Sequence, residues 1–421
     1  MAQNVQFTKE MKRTHTILLP DMLPIHFKLI SQVMQQYGYK TQLLQNAGHQ
    51  VVEEGLKNVH NDTCYPALLV IGQMIDALKS GRYDTHRVAL MITQTGGGCR
   101  ASNYIFLLRK ALEKSGFGYV PVISLNFKGL EDCPGFTLKL SMLMKAVYAV
   151  ILGDFLMLLA NQCRPYEMHK GDTDALVEKW TRRVLDAWAR RTPLSFRSVK
   201  KQYGAILEDF AALSKCGVRK PRVGIVGEIY VKYSPLANNH LEDFLQAEGA
   251  EVVVPGLMDF CMYCINNGMV DRALYGASAL RSLACRIGYR YFVRKQRDMI
   301  QAIREHGVFR APMPFPETNK LAGDYISHGV KMGEGWLLTV EMAELIAGGV
   351  DNIVCAQPFG CLPNHIVGKG MINQIKQKHP EANIVAIDYD PGASQVNQQN
   401  RIKMMLASAL ARQAGLRSDV G

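Results

Sequence analysis

The chain is 421 residues long, 48% apolar and 20% charged, with a formal net charge of +12. That length exceeds one ordinary small core, so two domains are expected, and the composition is that of a globular protein rather than a disordered or fibrous one. The basic excess comes with no zinc finger, RNA-binding signature or basic zipper, which argues against nucleic acid as a partner.

Residues 1–21 hold no secretory signal, because the short apolar run TILLP stops at Asp21. HTILLP predicts a strand, HFKLISQVMQQYG a helix and YKTQLL a strand. RVALMIT predicts a strand over 87–93, Ser102–Ser115 a helix and YVPVISL a strand over 119–125. The most apolar stretch, Phe136–Ala160, is interrupted by Lys139, Lys145 and Asp154. It reads as a buried core or dimer helix rather than a membrane span. The whole of roughly 136–213 lacks a strong strand signal and is expected to be a helical bridge. Strand, helix and strand follow at Arg222–Val226, Asn239–Glu248 and Ala250–Val254, and again at Asp351–Ala356, Ile366–Lys378 and 383–388. A helix over Asn397–Leu410 closes the pattern. Strands alternating with helices predict parallel sheets covered on both faces. The expected fold is therefore α/β, with two Rossmann-like domains joined by a helical segment. Domain limits are placed at 1–135, 136–215 and 216–421.

Basic residues gather in Lys179–Lys201 and Arg281–Arg304. These stretches are either solvated helix faces or a docking face for an acidic protein or phosphorylated ligand.

Ten cysteines in a chain this long, without a secretory signal, argue for reduced thiols rather than a disulfide framework. Cys99 follows RVALMIT and the turn TQTGGG, at or just before a helix start. Glycines there free backbone N–H groups, and a helix start favours an anion. The P-loop reading fails, because Cys99 and Arg100 stand where Lys and Ser or Thr are needed, and the G-x-G-x-x-G pattern lacks its third glycine. A thiolate bound to metal, a buried structural thiol and a redox cysteine remain open for Cys99. Cys64, in NDTCYPALL, also opens a helix, with Pro66 in its first turn. Cys355 ends a strand and Cys361 falls in the loop that follows, where parallel strands line a crevice. Their C-x5-C spacing matches no common zinc motif. The single CxxC, Cys261 and Cys264, has no second half and reads as one buried face of a helix. Cys133, Cys163, Cys216 and Cys285 are read as structural. Glu228 and Tyr230, after the strand RVGIVG, and His365, in CLPNHI, are weaker candidates for substrate contact. Arg164, Tyr166 and Glu167, in CRPYE, read as a helix-end ion-pair cluster.

The segments NDTCYPALLVIGQ, TQTGGGCRASNYI, PVISLNFKGLE, GEIYVKYSP, QPFGCLPNHIVGKG and AIDYDPGASQVNQ carry a resemblance. They resemble the C-terminal region of large activase-related proteins of the 2-hydroxyacyl-CoA dehydratase superfamily, over about Phe7 to Leu410. The resemblance implies Rossmann-like domains around an iron–sulfur cluster, either a [4Fe-4S] cubane or a double-cubane cluster, held in the cleft between the domains. It places Cys64, Cys99 and Cys361 at ligand positions, with Cys355 as a fourth. It also implies a separate ATP-hydrolysing activase with its own iron–sulfur cluster as partner, because the phosphate loop and acidic magnesium partners of an activase are absent here. The substrate implied is a small molecule, such as an acyl-CoA, and the protein is expected to be cytoplasmic and oligomeric. Two functions follow from the resemblance: a dehydratase-like lyase or ATP-dependent reductase component, and a non-catalytic electron-transfer or regulatory subunit.

Overall fold

A computed structural model of the chain describes residues 5–60, 62–94, 99–126, 133–190 and 196–418. Four strands come from the first part: β1 (Thr16–Pro20), β2 (Lys40–Leu44), β3 (Val88–Gln94) and β4 (Val122–Asn126). They form one parallel sheet in the order β2-β1-β3-β4. Four more come from the last part: β5 (Arg222–Gly227), β6 (Glu251–Val253), β7 (Asn352–Pro358) and β8 (Asn383–Tyr389). They form a second parallel sheet in the equivalent order β6-β5-β7-β8. The near-continuous apolar runs of these strands have the physical cause expected of parallel sheets, which helices cover on both faces. The α/β class is thus borne out, with two separate parallel sheets.

Between the sheets the chain is helical, as expected. Its main elements are Leu140–Cys163, Asp172–Arg190 and Phe196–Ala211. The first continues through a short turn to Tyr166 and is long and apolar enough to cross a membrane, yet 72% of its most apolar window is buried inside the protein. Its charges are also buried and partnered. Lys145 Nζ donates to Gln36 Oε1 at 3.1 Å and to the Trp188 carbonyl at 2.9 Å. Asp154 accepts from the backbone N–H groups of Leu257 and Met258, both at 2.8 Å, and lies 2.7 Å from His26 Nε2. Buried charges held this way need partners inside the protein.

The second half departs from the simple alternation. Between β6 and β7 stand the helices Leu257–Tyr275, Ala279–His306, Phe315–Leu321 and Trp336–Ala347. The expected continuous helix over Ile366–Lys378 is broken into a π turn at Asn364–Gly368, a tight turn at Lys369–Met371 and a helix at Ile372–Lys378. Asn364 explains the break. Its Nδ2 reaches back to the Ala356 carbonyl at 2.8 Å, and its Oδ1 fills the space a side chain at Gly368 would take. Side chains inserted into the helical ladder produce such irregular turns.

Candidate functional site

Both sheets reverse their strand order at one point, between β1 and β3 and between β5 and β7. Loops leaving the carboxyl ends of the strands diverge at such points and leave a crevice. A cavity of about 250 Å³ is lined by Pro20 at the end of β1, Thr93 in β3, Glu228 just after β5 and Cys361 shortly after β7. Cys64 and Cys99 line the same cavity.

Each of these cysteines is placed by its own local structure. Cys64 is the residue before the Tyr65–Lys79 helix, in extended backbone with proline in the first turn. Proline suits that turn because the missing N–H would be unpaired there anyway. Cys99 stands just before the turn Arg100–Asn103 that leads into the Tyr104–Lys114 helix. Its carbonyl accepts from the Ser102 N–H at 3.1 Å and the Ser102 hydroxyl at 2.7 Å. Cys361 donates its N–H to the Pro358 carbonyl at 3.3 Å, and its own carbonyl lies 2.8 Å from His365 Nδ1. A carbonyl only accepts, so that ring nitrogen carries the proton.

Two glycines allow the close approach. Gly360 has φ +74°, and a side chain there would come 3.0 Å from the Cys64 Cα. Gly333 has φ +57°, with Cys99 Sγ 3.7 Å from where its Cβ would stand. Only glycine accepts such dihedrals without steric cost.

The thiols are predominantly neutral as they stand. Burial pushes Cys64 up, against the hydrogen bond between its Sγ and the Tyr104 hydroxyl at 3.0 Å. Burial pushes Cys99 up to about 11, and the charges of Glu334, Cys64 and Glu228 add to the effect. Burial, Glu334 and Glu228 raise Cys361 further, and Cys99 contributes. Each thiolate would therefore repel the next, and a bound cationic metal centre would offset both the burial and the repulsion.

Two carboxyls complete the polar end of the cavity. Glu228 opens the short Ile229–Tyr233 helix and accepts from the Val231 N–H at 2.9 Å. Burial, then the Glu334 charge, lifts it to about 8. Glu334 accepts from the Ile229 N–H at 2.9 Å and is raised by burial. Sequence reasoning missed Glu334. Its signal was GEG, two glycines that both adopt positive φ around one acidic residue, with Tyr263 Oη donating to the Gly333 carbonyl at 2.9 Å. Tyr230 lines the cavity and is buried. His365 is exposed and does not line it; the ring holds the Cys361 loop from outside.

Cys355 is not brought to the other three. Side chains alternate along a strand, and β7 puts Val354 and Ala356 in one apolar cluster and Ile353 and Cys355 in another. Its Sγ faces Asn364 Oδ1 at 3.7 Å. Cys261 and Cys264 lie half-buried on the Leu257–Tyr275 helix and do not line the cavity. The glycines of the TGGG turn, Gly96–Gly98, lie outside the described residues, as does Thr95. Among the described residues no group of three or more His, Cys, Asp or Glu side chains is arranged to hold a metal ion. A cluster spreads its thiolate ligands more widely than one ion does, so three thiols around one cavity still fit an iron–sulfur group by donor chemistry. No family model matches the chain, and no curated protein is significantly similar to it.

Proposed function

We propose that this chain is an iron–sulfur protein of the 2-hydroxyacyl-CoA dehydratase type, built as two Rossmann-like domains with the cluster in the cleft between them. It accepts a low-potential electron from a separate ATP-hydrolysing activase and uses it in reductive or dehydratase chemistry on a small molecule. The observation that carries this reading is the cavity shared by Cys64, Cys99 and Cys361, which are supplied by loops of both sheets. When bound there, a [4Fe-4S] cluster would supply one-electron chemistry and, at an iron no thiolate holds, Lewis acidity.

The chain's own residues then have definable parts. The three thiols hold the group. Tyr104 donates a hydrogen bond toward the Cys64 sulfur. Glu228 and Glu334 stand ready at the cavity wall to hold a proton close to a bound substrate. Phe27, Ile30 and Met34 line the cavity as well and give part of its wall an apolar surface.

The activase would meet a basic surface. Arg281, Arg286, Arg290, Arg294 and Arg297 are exposed on the Ala279–His306 helix, whereas Lys295 turns inward and is buried. An acidic docking face suits this charge, and association through it weakens with salt.

The non-catalytic alternative needs a fourth protein thiolate that closes the cluster. The position of Cys355 in a separate apolar cluster weighs against it. The distinguishing experiment adds an exogenous thiolate to the anaerobically reduced protein and follows its electron paramagnetic resonance. An open iron gives a changed signal on thiolate binding. An unchanged signal would assign the protein to the electron-transfer class.

A further inference from the structure

The cavity of about 250 Å³ extends beyond the thiols along the first sheet. Phe27, Ile30 and Met34 line it at i, i+3 and i+7 of the Pro24–Gln36 helix. That spacing is one helical stripe, and seven residues of helix advance about 10 Å. The helix starts just after the end of β1 and runs back along the sheet. Its later turns lie beside the start of β2: Ser31 Oγ stands 2.8 Å from Thr41 Oγ1, and Gln35 Nε2 donates to the Thr41 carbonyl at 3.1 Å. Thr41 pairs in turn with Ile17, near the amino end of β1. The stripe from Phe27 to Met34 therefore descends from the carboxyl edge of the sheet, where Pro20 and Thr93 line the cavity, toward its amino edge.

The remaining wall of this arm is apolar as well. Leu19 of β1 and Met91 of β3 line the cavity and stand side by side on one face, because Leu18 pairs with Leu90. Val70 lines it from the Tyr65–Lys79 helix. Leu19, Met34, Val70 and Met91 are buried.

The charged residues of the wall gather at the other end. Glu228 follows β5, and Glu334 accepts from the N–H of Ile229 beside it. Arg100 is exposed, and its guanidinium donates to the Asp62 carbonyl. Among the described residues no charged side chain lines the arm. A charged or strongly polar group placed there would lose its water with nothing to replace it. Each methylene buried there instead strengthens binding about fourfold. Apolar walls with a few polar groups gathered in one place are the usual form of small-molecule sites.

We infer that the cavity selects its substrate by an apolar tail. The tail lies along Phe27, Ile30 and Met34, and the reacting group stays with the thiols and carboxyls. The substrate class is a small molecule whose polar groups sit at one end only. This assignment rests on the proposed reading of the thiol cavity as the reaction site, but the preference of the arm does not require iron.

Ligand-observed NMR titration of the full chain with 1-butanol, 1-pentanol, 1-hexanol and 1,6-hexanediol tests it, on iron-free and on reconstituted protein. Affinity is expected to rise about fourfold for each added methylene. The diol is expected to bind about tenfold more weakly than 1-hexanol, because its second hydroxyl enters the arm unpaired. Ile30, half-buried in the middle of the stripe, is the position to vary. Ile30→Phe shortens the arm and is expected to weaken 1-hexanol more than 1-butanol. Ile30→Ala widens it and is expected to favour 1-octanol over 1-hexanol more strongly than the wild type does. Alcohols that fail to bind, or bind without regard to length, a diol that binds as tightly as 1-hexanol, or a length preference that neither variant moves would each overturn the inference. Iron content separates the two readings. Iron bound as proposed without a length preference overturns the tail alone. A length preference in a chain that takes up no iron supports the arm and overturns the cluster.

Discussion

The Tyr65 N–H donates to the Phe359 carbonyl at 3.0 Å, which clamps the residue after Cys64 to the loop that carries Cys361. The Phe359 N–H in turn donates to the Tyr389 carbonyl at 2.8 Å, so the clamp is anchored on β8. The link joins a helix of the first sheet's layer to a loop of the second sheet, and it holds two of the three candidate ligands together.

Gly360→Ala tests this link. The new methyl group would stand 3.0 Å from the Cys64 Cα, at φ +74°. The dihedral alone costs about 1–2 kcal/mol for a residue with a side chain. Gly81→Ala is the control, since Gly81 has φ +71° and nothing within 4 Å of the added carbon. Both variants should lose a similar amount of thermal stability from backbone strain. Gly360→Ala alone should also lose iron, measured after anaerobic reconstitution. Equal iron in both would separate the clamp from the site.

The thiols divide by position. Cys64→Ser, Cys99→Ser and Cys361→Ser should each reduce bound iron to a small fraction of the wild-type content. Cys355→Ala should leave it unchanged, at a stability cost of about 1 kcal/mol for the small cavity made in the apolar cluster. Iron and sulfide analysis of the four variants decides the point. A loss of iron with Cys355→Ala would add that residue to the ligands.

Tyr104 offers a finer test. Its hydroxyl stands 3.0 Å from Cys64 Sγ. Hydrogen bonds to ligand sulfur favour the more negative, reduced state of a cluster. Tyr104→Phe should therefore lower the reduction potential, by an amount on the order of tens of millivolts. Redox titration monitored by electron paramagnetic resonance measures it. An unchanged or raised potential would mean that Tyr104 does not donate to a ligand sulfur.

Much of the frame was legible in the sequence because parallel strands announce themselves. Runs such as RVALMIT and NIVAID are apolar on both faces and have helices on either side. Cys64, Cys99 and Cys361 stood out as a set only through the family resemblance; their positions at helix starts and in a strand-end loop left structural roles open as well. Cys355 was harder. It lies inside β7 rather than at the strand's end, and only the pleat parity of β7 tells which face its side chain takes. For Glu334 the sequence offered only the GEG turn of Gly333 and Gly335, because its partner Ile229 stands more than 100 residues away. The Asp154 contacts with His26 and with Leu257 and Met258 are equally non-local, so the apolar stretch around Asp154 showed a buried helix but not what the charge does.

Buried carboxyls give the apoprotein a pH dependence. Burial, and then the charge of Asp154, raises Asp259 to about 8; Glu228 is raised to about 8 as well. An unfolded carboxyl loses its proton near about pH 4, whereas the folded groups keep theirs to about pH 8. The folded state therefore binds more protons across that window, and stability falls as pH rises through it. Asp259→Asn keeps an oxygen to accept from Gln296 Nε2, now 2.7 Å from Asp259 Oδ1, while removing the ionisation. Denaturation of the apoprotein at about pH 6 and about pH 8.5 should show a smaller drop in this variant than in the wild type. An equal drop would place the pH dependence elsewhere.

Iron and acid-labile sulfide per chain, measured after anaerobic purification and reconstitution, test whether the cavity of Cys64, Cys99 and Cys361 holds a cluster. A single cubane gives about four irons and four sulfides per chain, with a paramagnetic signal on reduction that Cys64→Ser, Cys99→Ser and Cys361→Ser each abolish or alter. A chain that binds neither iron nor sulfide after anoxic handling, or whose iron survives all three substitutions unchanged, would contradict it.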